Sequence, residues 1–513
     1  MVTKVLTVVF LGIEAKLVEI QTHLSNGLPC FNIVGMADKS VNESKERIRA
    51  AFSSLNINLP PKRITINLAP SDLQKEGSHF DLPIALSLLI ALEIIPKNSV
   101  NTFIILGELS LSGDILPVRG TLASLITAIK YKRGLIFPKK QVNEVGIFAE
   151  RLQLLPCGNL NELIDHFKNS SKITMPQIVP KKQEISPHEI FDIADIKGQE
   201  SAKKALEIAA AGGHNMLMIG PPGVGKSTLA CAIRGILPPL TKKEMLEVSV
   251  IYSIAGLLGN NNLITNRPFR APHHNISDAA LIGGGKKINP GEITLASKGI
   301  LFLDELAEFN RSTLDALREP LESGKVNISR ANSRVTMPCD FQLIAATNPC
   351  HCGYFSVPGK ECHKAPACAV NYQSKLSGPL LDRIDLIVEL SEPEIYNDFN
   401  SAPKENSKSI LQKVTKARNI QAERYNNYSF TLNAKMDNAT LKECINNIKN
   451  REKAWNLLTR FANKFKISLR AYNKIIKLSR TISDLEGSSQ INEIHISEAI
   501  SYRKTNCTNG YIK

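Results

Sequence analysis

A glycine-rich segment near the middle of the chain combines the residue types that bind nucleotide phosphates. Backbone N–H groups in such a turn close around phosphate oxygens, and the start of a following helix adds positive potential. Lys226 is placed to reach the terminal phosphates and Ser227 to hold Mg²⁺. The spacing predicts an ATP-binding loop, and the alternative is a chance glycine-rich turn. The predicted loop consists of Gly220, Pro221, Pro222, Gly223, Val224, Gly225, Lys226, Ser227 and Thr228.

Two adjacent carboxylates follow the apolar run 299–303, about eighty residues after this loop. A strand ending there would deliver Asp304 beside Mg²⁺ and leave Glu305 to polarise an attacking water. Taken alone, the pattern is commonplace, because many strands end in solvated charge. Placed after a phosphate-binding loop, it predicts Mg²⁺-dependent hydrolysis of ATP.

The local sequence predicts the elements that must hold these groups in place. Residues 215–219 are mostly apolar and predict a buried strand, while residues 227–237 keep helical spacing. A strand, a glycine-rich turn and a helix start therefore follow one another, which is the context that a phosphate-binding loop requires. A third apolar run, residues 341–347, predicts another strand and ends at Asn348.

Length and composition bound the possible classes of protein. A chain of 513 residues with 43% hydrophobic content can form about three domains. The formal charge of +15 favours a polyanionic partner, although abundant Lys, Ile and Asn can also reflect genome composition. Residues 1–13 lack a signal-peptide cleavage site, and the apolar stretch 82–95 is too short to span a bilayer. We therefore expect a soluble, cytoplasmic protein without a membrane partner.

The first third of the chain mixes strand and helix patterns. Alternating apolar residues predict strands within residues 5–20 and 63–68, and helical periods occupy residues 39–54 and 81–92. This mixture predicts an α+β domain that ends near Lys168 and is followed by a proline-containing linker.

Four cysteines fall between positions 350 and 368. Thiolates at this density in a reducing compartment favour tetrahedral Zn²⁺, with His351 and His363 as further donors. Their spacing departs from the usual C-x-x-C pairs, so the alternative is a set of buried or free thiols. The predicted structural zinc ligands are Cys350, Cys352, Cys362 and Cys368.

Two further features are a basic hairpin and a pair of adjacent histidines. Residues 324–340 predict a β-hairpin with Arg330 and Arg334 near its tip, which favours phosphate contacts with DNA over a solvated basic turn. His273 and His274 are adjacent, and neighbouring side chains diverge in most backbones. For this histidine pair a structural hydrogen-bonding role is therefore favoured over metal binding.

Residues 107–118 resemble the core signature of the Lon-type protease fold, which belongs to the ribosomal-S5-like superfamily. The resemblance raises a Ser–Lys peptidase as a hypothesis. By the Lon spacing, however, the serine position falls on Phe80 or Asp81, and the lysine position falls near Leu122 or Ala123. We therefore expect a Lon-protease-like (S5 domain 2-like) module that is not proteolytic.

Residues 191–199 resemble the entry sequence of AAA+ ATPases. This resemblance implies that Asn348 orients the attacking water. It also implies that Arg383 projects into the nucleotide of a neighbouring subunit, where a guanidinium stabilises charge on the transferring phosphoryl group. The alternative is that Arg383 pairs with Asp382 or Asp385 at a helix end, and its use in trans requires a ring.

Nearly the whole chain resembles one family, the magnesium-chelatase-like AAA+ ATPases of the ComM (YifB) type, which includes competence-related branch migration helicases. The resemblance implies a homo-hexamer that uses ATP and Mg²⁺ and drives branch migration of recombining DNA, branched or single-stranded. It gives Arg470 a nucleotide-sensing role, in cis or in trans, and related ring helicases grip DNA with a hairpin at position 324–340. The supporting segments are residues 267–274, 283–285, 290–293, 329–331, 348–350, 468–472 and 480–482.

The predicted fold class is an α/β AAA+ P-loop core with a helical lid, preceded by an α+β Lon-protease-like domain. The predicted domains are residues 1–168 for the Lon-like domain, 169–190 for the linker, 191–404 for the ATPase core with its cysteine-rich loop 350–368, and 405–513 for the lid.

Three functions compete on this sequence. The first is an ATP-driven DNA motor, and the second is a chelatase-like or protein-remodelling ATPase with no direct activity on DNA. The cysteine cluster and the fused N-terminal domain argue against the second, because chelatase motor subunits usually lack both. The third is a Lon-like ATP-dependent protease, against which the missing dyad argues, since Ser78 lacks an evident base.

Overall fold

The computed structural model describes residues 2–148, 152–176, 191–258, 263–285, 289–330, 333–355, 360, 364–391, 405–449, 451–465 and 467–503. The chain divides into two compact units. The first unit consists of Met1–Gln183, Lys242–Thr265 and Ser329–Val335, and the second of Glu184–Thr241, Asn266–Ile328 and Thr336–Lys513. Residues 177–190 of the predicted linker and 504–513 of the predicted lid lie outside the described ranges.

The N-terminal region alternates strands and helices. Its strands are Val2–Leu11 (β1), Glu14–Ser25 (β2), Cys30–Val34 (β3), Arg63–Ala69 (β4), Phe103–Ile105 (β5), Glu108–Leu109 (β6), Ile115–Leu116 (β7), Gly134–Pro138 (β8) and Leu154–Cys157 (β9). Its helices are Lys39–Ser54 (α1), Asp81–Ala91 (α2), Thr121–Lys130 (α3), Val142–Val145 (α4) and Leu160–Phe167 (α5).

The middle of the chain contains the elements around the glycine-rich loop. Its strands are Met216–Ile219 (β10), Phe269–Arg270 (β11), Gly283–Gly284 (β12), Asn289–Pro290 (β13), Ile300–Leu303 (β14), Lys325–Arg330 (β15), Ser333–Pro338 (β16), Gln342–Thr347 (β17) and Leu386–Glu389 (β18). Its helices are Glu200–Gly212 (α6), Lys226–Ile236 (α7), Lys242–Ala255 (α8), Asp278–Ile282 (α9), Glu292–Leu295 (α10), Arg311–Ala316 (α11), Arg318–Ser323 (α12), Ala367–Gln373 (α13) and Gly378–Leu381 (α14).

The C-terminal region is helical. Its helices are Ser407–Arg424 (α15), Asn438–Asn446 (α16), Arg451–Phe465 (α17), Leu469–Leu485 (α18) and Glu493–Ser501 (α19).

In the first unit, seven of the described strands form a mixed sheet in the order β3-β4-β2-β1-β5-β8-β9. Strand β2 is antiparallel to β1 and β4, whereas β5, β8 and β9 run parallel to one another. Alternation along β1 sends Val5 and Val9 into the core that contains α1 and α2, and Val8 into the core that contains α3. The sheet is therefore covered on both faces.

The predicted elements of this unit are confirmed with small shifts at their ends. Helix α1 has the predicted bounds, and it begins where Asp38 accepts a hydrogen bond from the Val41 backbone N–H at 2.8 Å. Helix α2 and strand β4 each differ from prediction by one residue at one end.

Helix α8 belongs to the first unit, although the sequence places residues 242–265 inside the ATPase core. Its Val250 joins the apolar cluster that contains Leu122 of α3. The Ser253 carbonyl accepts a hydrogen bond from the Gly120 backbone N–H at 3.2 Å. Burial of this apolar helix face explains why the segment packs with α3.

In the second unit, five of the described strands form an entirely parallel sheet in the order β11-β14-β17-β10-β18. Strands β10, β14 and β17 are buried along their lengths, as their apolar runs predict. Helices α6, α7, α15 and α18 contribute to the same apolar core. All strands of this sheet end at the same edge, where the loops with candidate chemistry begin.

None of the helices in the described ranges combines the length and the apolar composition that a membrane span needs.

Candidate functional site

The glycine-rich loop connects β10 to α7, as its sequence context predicts. Gly223 and Gly225 have φ of 82° and 90°, a left-handed conformation that residues with a Cβ rarely adopt. Helix α7 begins at Lys226, directly after the second of these glycines. The first backbone N–H groups of α7 therefore point toward the loop, as an anion-binding site requires.

The Lys226 ammonium group is held at the ends of β10 and β17. Its Nζ donates to the carbonyl oxygens of Gly220 at 2.6 Å and Pro221 at 2.8 Å, and to Asn348 Oδ1 at 2.9 Å. Burial lowers the pKa of Lys226, although the nearby carboxylate of Asp304 acts in the opposite direction. The structure thus brings the predicted lysine and asparagine into direct contact.

Ser227 and Asp304 also meet at this edge of the sheet. The Ser227 hydroxyl donates to Asp304 Oδ2 at 2.7 Å, while Asp304 Oδ1 accepts from the Glu305 backbone N–H at 2.9 Å. A hydroxyl and a carboxylate are oxygen donors of the type that Mg²⁺ prefers. The pair therefore fits the predicted magnesium site in chemistry and proximity.

Glu305 contacts a histidine that the sequence did not assign to the site. His274 Nδ1 lies 3.2 Å from Glu305 Oε2. Glu305 has a positive φ of 51°, which turns the chain sharply after β14. Because β11 runs parallel to β14, the loops after both strands leave the sheet at the same edge, and this brings His274 to the carboxylate. Recognition of β11 as a neighbouring strand was the missing signal.

His273 and His274 have different partners, in agreement with the hydrogen-bonding role predicted for this pair. His273 Nδ1 accepts from the Asn275 backbone N–H at 3.2 Å, and the two histidine rings lie with centroids 4.1 Å apart.

Arg383 lies after α14 with its guanidinium group largely buried. Its Nε donates to the Arg318 carbonyl at 2.9 Å, and its Nη1 donates to the Pro379 carbonyl at 2.7 Å. The remaining amino group, Nη2, contacts the carboxylate of Glu322 on α12. The guanidinium orientation is therefore fixed on three sides.

The alternative partners named for Arg383, Asp382 and Asp385, are wrong, because its carboxylate partner is Glu322. Asp385 is buried at the start of β18, where Lys474 Nζ lies 2.8 Å from its Oδ1 and His214 Nδ1 lies 3.7 Å from its Oδ2. Burial alone would raise the pKa of Asp385, but Lys474 and His214 hold it well below its usual range. Burial also lowers the pKa of Lys474 to about 8.

Arg470 occupies the first turn of α18, where Ser468 caps the helix by accepting from the Ala471 backbone N–H. Its side chain is half exposed, and its Nη2 lies 2.9 Å from Glu322 Oε1. Two arginines that the sequence treats separately therefore share one carboxylate. Nothing in the local pattern of α12 identifies Glu322 as that group.

The predicted zinc ligands are partly described. Cys350 is buried and its Sγ lies 3.1 Å from that of Cys352, whereas Cys362 lies outside the described residues. Burial and the neighbouring Cys352 raise the pKa of the Cys350 thiol. In the described part of the chain, no three His, Cys, Asp or Glu side chains form a group that could hold a metal ion. The neighbouring thiols of Cys350 and Cys352 would supply only two of the four ligands of a tetrahedral zinc site. The described residues therefore do not support the predicted zinc.

The predicted hairpin consists of β15 and β16. Across it, the Thr336 hydroxyl donates to Asn327 Oδ1 at 2.8 Å. Arg334 is exposed on β16, while the side chain of Arg330 and the turn at residues 331–332 lie outside the described parts. The tip, Ser329–Val335, groups with the first unit.

The first unit places apolar or engaged groups at the positions of a protease dyad. Phe80 and Asp81 are buried, as are Leu122 and Ala123. The Ser78 hydroxyl donates to the carboxylate of Glu108, a partner that the sequence did not reveal.

Asp81 has a structural environment. Its carboxylate accepts from Arg47 Nε at 2.6 Å, from the Ser44 hydroxyl at 2.5 Å and from the Leu109 backbone N–H at 3.2 Å. With these partners the Asp81 side chain joins α1, α2 and β6.

Three family models match the chain in succession. Residues 20–141 match "Subunit ChlI of Mg-chelatase", residues 192–397 match "Magnesium chelatase, subunit ChlI", and residues 404–503 match "Magnesium chelatase, subunit ChlI C-terminal".

Individual proteins are similar to nearly the whole chain or to part of it. The chain is 41% identical to "Competence protein ComM" of Haemophilus influenzae over 498 residues, which cover 96% of each protein. It is 39% identical to "Uncharacterized protein YifB" of Escherichia coli over 96% of this chain and 95% of that protein. A shorter similarity, 26% over 221 residues, connects it with the "Magnesium-chelatase 38 kDa subunit" of Rhodobacter capsulatus, covering 40% of this chain and 57% of that protein.

Proposed function

This chain belongs to the ComM/YifB family of magnesium-chelatase-like proteins, and we propose that it is a hexameric ATP-driven motor that moves branches in recombining DNA. The convergence of Lys226, Ser227, Asp304 and Asn348 at one edge of a parallel sheet carries the ATPase part of this proposal. Membership of an AAA+ family that uses ATP and Mg²⁺ supports the same assignment.

The proposed site binds the nucleotide through the loop 220–228. Backbone N–H groups of this loop and of the first turn of α7 would bind the phosphate oxygens. Lys226 would exchange its carbonyl partners for the terminal phosphates, and Ser227 and Asp304 would hold Mg²⁺. Bound Mg²⁺ neutralises charge on the transferring phosphoryl group.

Glu305 is the proposed base for the attacking water. Its carboxylate is half exposed at the end of β14, so it can reach a water near the terminal phosphate. His274 contacts one carboxylate oxygen and would orient the group, while Asn348 would position the same water. Strands β11, β14 and β17 place the backbones of these three side chains at the same edge of the sheet.

A homo-hexameric ring is proposed because Arg383 and Arg470 would complete the site with guanidinium groups. A guanidinium acting on a neighbouring subunit's nucleotide makes hydrolysis dependent on assembly. Helices α15 to α19 would then act as the lid that carries Arg470.

DNA is the proposed substrate for three reasons. The strongest is the similarity over 96% of the chain to a relative named as a competence protein. The hairpin with Arg330 and Arg334 is the second reason, and the net charge of +15 is the third. Branched or single-stranded DNA would contact the hairpin through its phosphates.

The N-terminal region is proposed to be a non-proteolytic, Lon-protease-like scaffold. Its dyad positions are buried, and Asp81 is engaged with Arg47 and Ser44. These contacts stabilise the fold and leave no activated nucleophile among the positions that the Lon spacing selects.

A structural zinc in the loop 350–368 remains a prediction. Adjacent thiols of Cys350 and Cys352 are compatible with two of the four ligands. Metal analysis of protein purified under reducing, chelator-free conditions would give about one zinc per chain if the loop is a zinc site. Protein without zinc would return these cysteines to a packing role.

A chelatase-like ATPase is the second candidate function. The similarity to the 38 kDa subunit of a magnesium chelatase favours it, although this similarity covers only 40% of the chain. In that case the same ATP site would drive remodelling of a protein partner.

The decisive experiment measures ATP hydrolysis and migration of a four-way DNA junction by the purified full-length protein. Wild type should hydrolyse ATP with Mg²⁺ and move the junction, and Glu305→Gln should bind ATP without either activity. The double variant Arg330→Ala, Arg334→Ala should keep its basal ATPase activity. Its DNA affinity should fall for every sequence alike, with a salt dependence shallower by about two units.

Each failure has a separate meaning. ATP hydrolysis without DNA binding at low salt would favour the chelatase-like candidate. Unchanged DNA binding in the double variant would remove the hairpin from the DNA site and leave the motor proposal intact. Absence of ATP binding and hydrolysis under conditions that support a ring would overturn the ATPase assignment.

A further inference from the structure

Two arginines from distant parts of the chain contact opposite oxygens of one carboxylate. Arg383 Nη2 contacts Glu322 Oε2, and Arg470 Nη2 lies 2.9 Å from Glu322 Oε1. Arg383 is 61 residues and Arg470 is 148 residues from Glu322 in the sequence. The second unit therefore brings both guanidinium groups to the end of α12.

The two arginines differ in how firmly they are held. The Arg383 side chain is 15% exposed, and it also donates to the carbonyl oxygens of Arg318 and Pro379. The Arg470 side chain is 56% exposed. Glu322 thus connects the largely buried guanidinium group of Arg383 to the exposed side chain of Arg470 on α18.

A buried ion pair joins the same two segments a short distance away. Asp385 lies two residues after Arg383, and Lys474 lies one helical turn after Arg470 on α18. Lys474 Nζ is 2.8 Å from Asp385 Oδ1, and both side chains are largely buried. The backbones that carry the arginines are therefore tied together independently of Glu322.

Two guanidinium groups brought side by side repel each other unless an anion lies between them. With the backbones already joined, the Glu322 carboxylate supplies that anion and gives each guanidinium a direction. A nucleotide phosphate is also an anion that accepts hydrogen bonds from guanidinium groups, so it can bind N–H groups of the pair other than those that contact Glu322.

We propose that Glu322 is a positioning residue that holds Arg383 and Arg470 together, so that they act on nucleotide phosphate as one pair. This inference rests on the proposed ATPase function and adds a residue to it. Glu322 does not touch the nucleotide in this role, since it acts through the two arginines.

If Glu322 formed only an ordinary surface salt bridge, its replacement would leave ATP turnover unchanged. Exposed ion pairs contribute little to stability, and Glu322 is 54% exposed. Replacing Glu322 should therefore leave the melting temperature nearly unchanged. Its effect should be on ATP turnover, and it should depend on whether Arg470 is present.

The test compares steady-state ATPase kinetics of the full-length wild type with Glu322→Gln and Glu322→Asp. Glu322→Gln should lower kcat about tenfold with a smaller change in KM, because the arginine pair acts on the transferring phosphoryl group. Glu322→Asp keeps the charge and should recover part of this loss. Glu319→Gln is the matched control, because Glu319 is an exposed carboxylate on the same helix that contacts Asn327.

A double-mutant cycle separates positioning from general damage. In an Arg470→Ala background, Glu322→Gln should lower kcat less than about twofold further, because one member of the pair is already missing. Fully additive losses would overturn the inference, as would wild-type kinetics in Glu322→Gln or an equal loss in Glu319→Gln. In each of these results an active wild type leaves the proposed ATPase standing, whereas an inactive wild type overturns both.

Discussion

The two sheets of this protein use their strand ends in different ways. In the second unit every strand of the five-stranded sheet is parallel, so Lys226, Asp304 and Asn348 emerge together at one edge. In the first unit the seven-stranded sheet is mixed, so its strand ends are distributed over both edges. A parallel sheet places the loops after its strands at one edge, where their side chains can form one site, whereas a mixed sheet distributes these loops over both edges.

The same contrast appears in the polar side chains. Asp304 contacts a hydroxyl and a backbone N–H, and it keeps part of its surface exposed to solvent. Asp81 of the first unit is fully buried and is satisfied by donors from α1 and β6. The fold thus uses more acceptor sites of Asp81 than of Asp304, which suits Asp81 to a structural role and Asp304 to the proposed metal site.

The largest expected effect separates the two units by chemistry. Lys226→Ala should reduce ATP hydrolysis by more than about 100-fold, because the ammonium group is the proposed partner of the terminal phosphates. Ser78→Ala in the first unit should leave hydrolysis unchanged. Assays of nucleotide binding and of phosphate release test both variants.

A loss of hydrolysis in Ser78→Ala would break the comparison, because it would give the first unit a part in the reaction. Normal hydrolysis in Lys226→Ala would contradict the assignment of the loop.

The next prediction compares two aspartates by stability. Asp81→Ala should lower the free energy of unfolding of the first unit by about 3 kcal/mol, because it leaves the partly buried Arg47 and a backbone N–H without their acceptor. Asp304→Asn should change the free energy of unfolding by less than about 1 kcal/mol while it abolishes hydrolysis. Denaturant unfolding and ATPase assays of both variants test the pair.

Similar unfolding of both variants would show that Asp304 also has a structural duty. A stable Asp81→Ala protein would show that its buried contacts are dispensable.

The smallest effect concerns a buried carboxyl group of the first unit. Glu144 accepts from Gln141 Nε2 at 2.8 Å and from the Ser253 hydroxyl at 3.4 Å, and burial raises its pKa to about 7. The folded state therefore holds a proton between pH 4.5 and about 7 that the unfolded state releases, so stability falls as pH rises through this window. Glu144→Gln removes this penalty and should stabilise the unit by about 2 kcal/mol at pH 8.

At pH 5 the wild type and Glu144→Gln should unfold at nearly the same temperature, which thermal unfolding at the two pH values would measure. His79 titrates in the opposite direction, since burial lowers its pKa to about 4 and its contribution is lost as pH falls below 6.5. Because His79 is present in both proteins, its effect cancels in the difference. An equal difference at pH 5 and pH 8 would contradict the role of Glu144.

The local elements could be predicted from sequence because their signals are local. Helix α1 is defined by its cap at Asp38 and by apolar residues at helical spacing, and strands β10, β14 and β17 by short apolar runs with polar ends. The unit to which α8 belongs could not be predicted, because the apolar face of an isolated helix does not identify its partner.

The candidate site divides along the same line. Gly223 and Gly225 adopt a positive φ that glycine allows without strain, so the loop could be identified from sequence without knowledge of the fold. His274 and Glu108 could not be identified as partners of Glu305 and Ser78, because those contacts depend on the tertiary packing of segments that are distant in sequence.

The sequence by itself therefore determined the glycine-rich loop between β10 and α7, the carboxylates after β14 and the family to which the chain belongs. Turn geometry and strand periodicity arise within a few residues, and the residue types alone fix them. Only the tertiary structure decided that Arg383 pairs with Glu322 instead of Asp382 or Asp385, and that Arg470 meets it there. That meeting depends on the packing of α12, α14 and α18, which no local pattern encodes, because long-range contacts form only when the whole core is assembled.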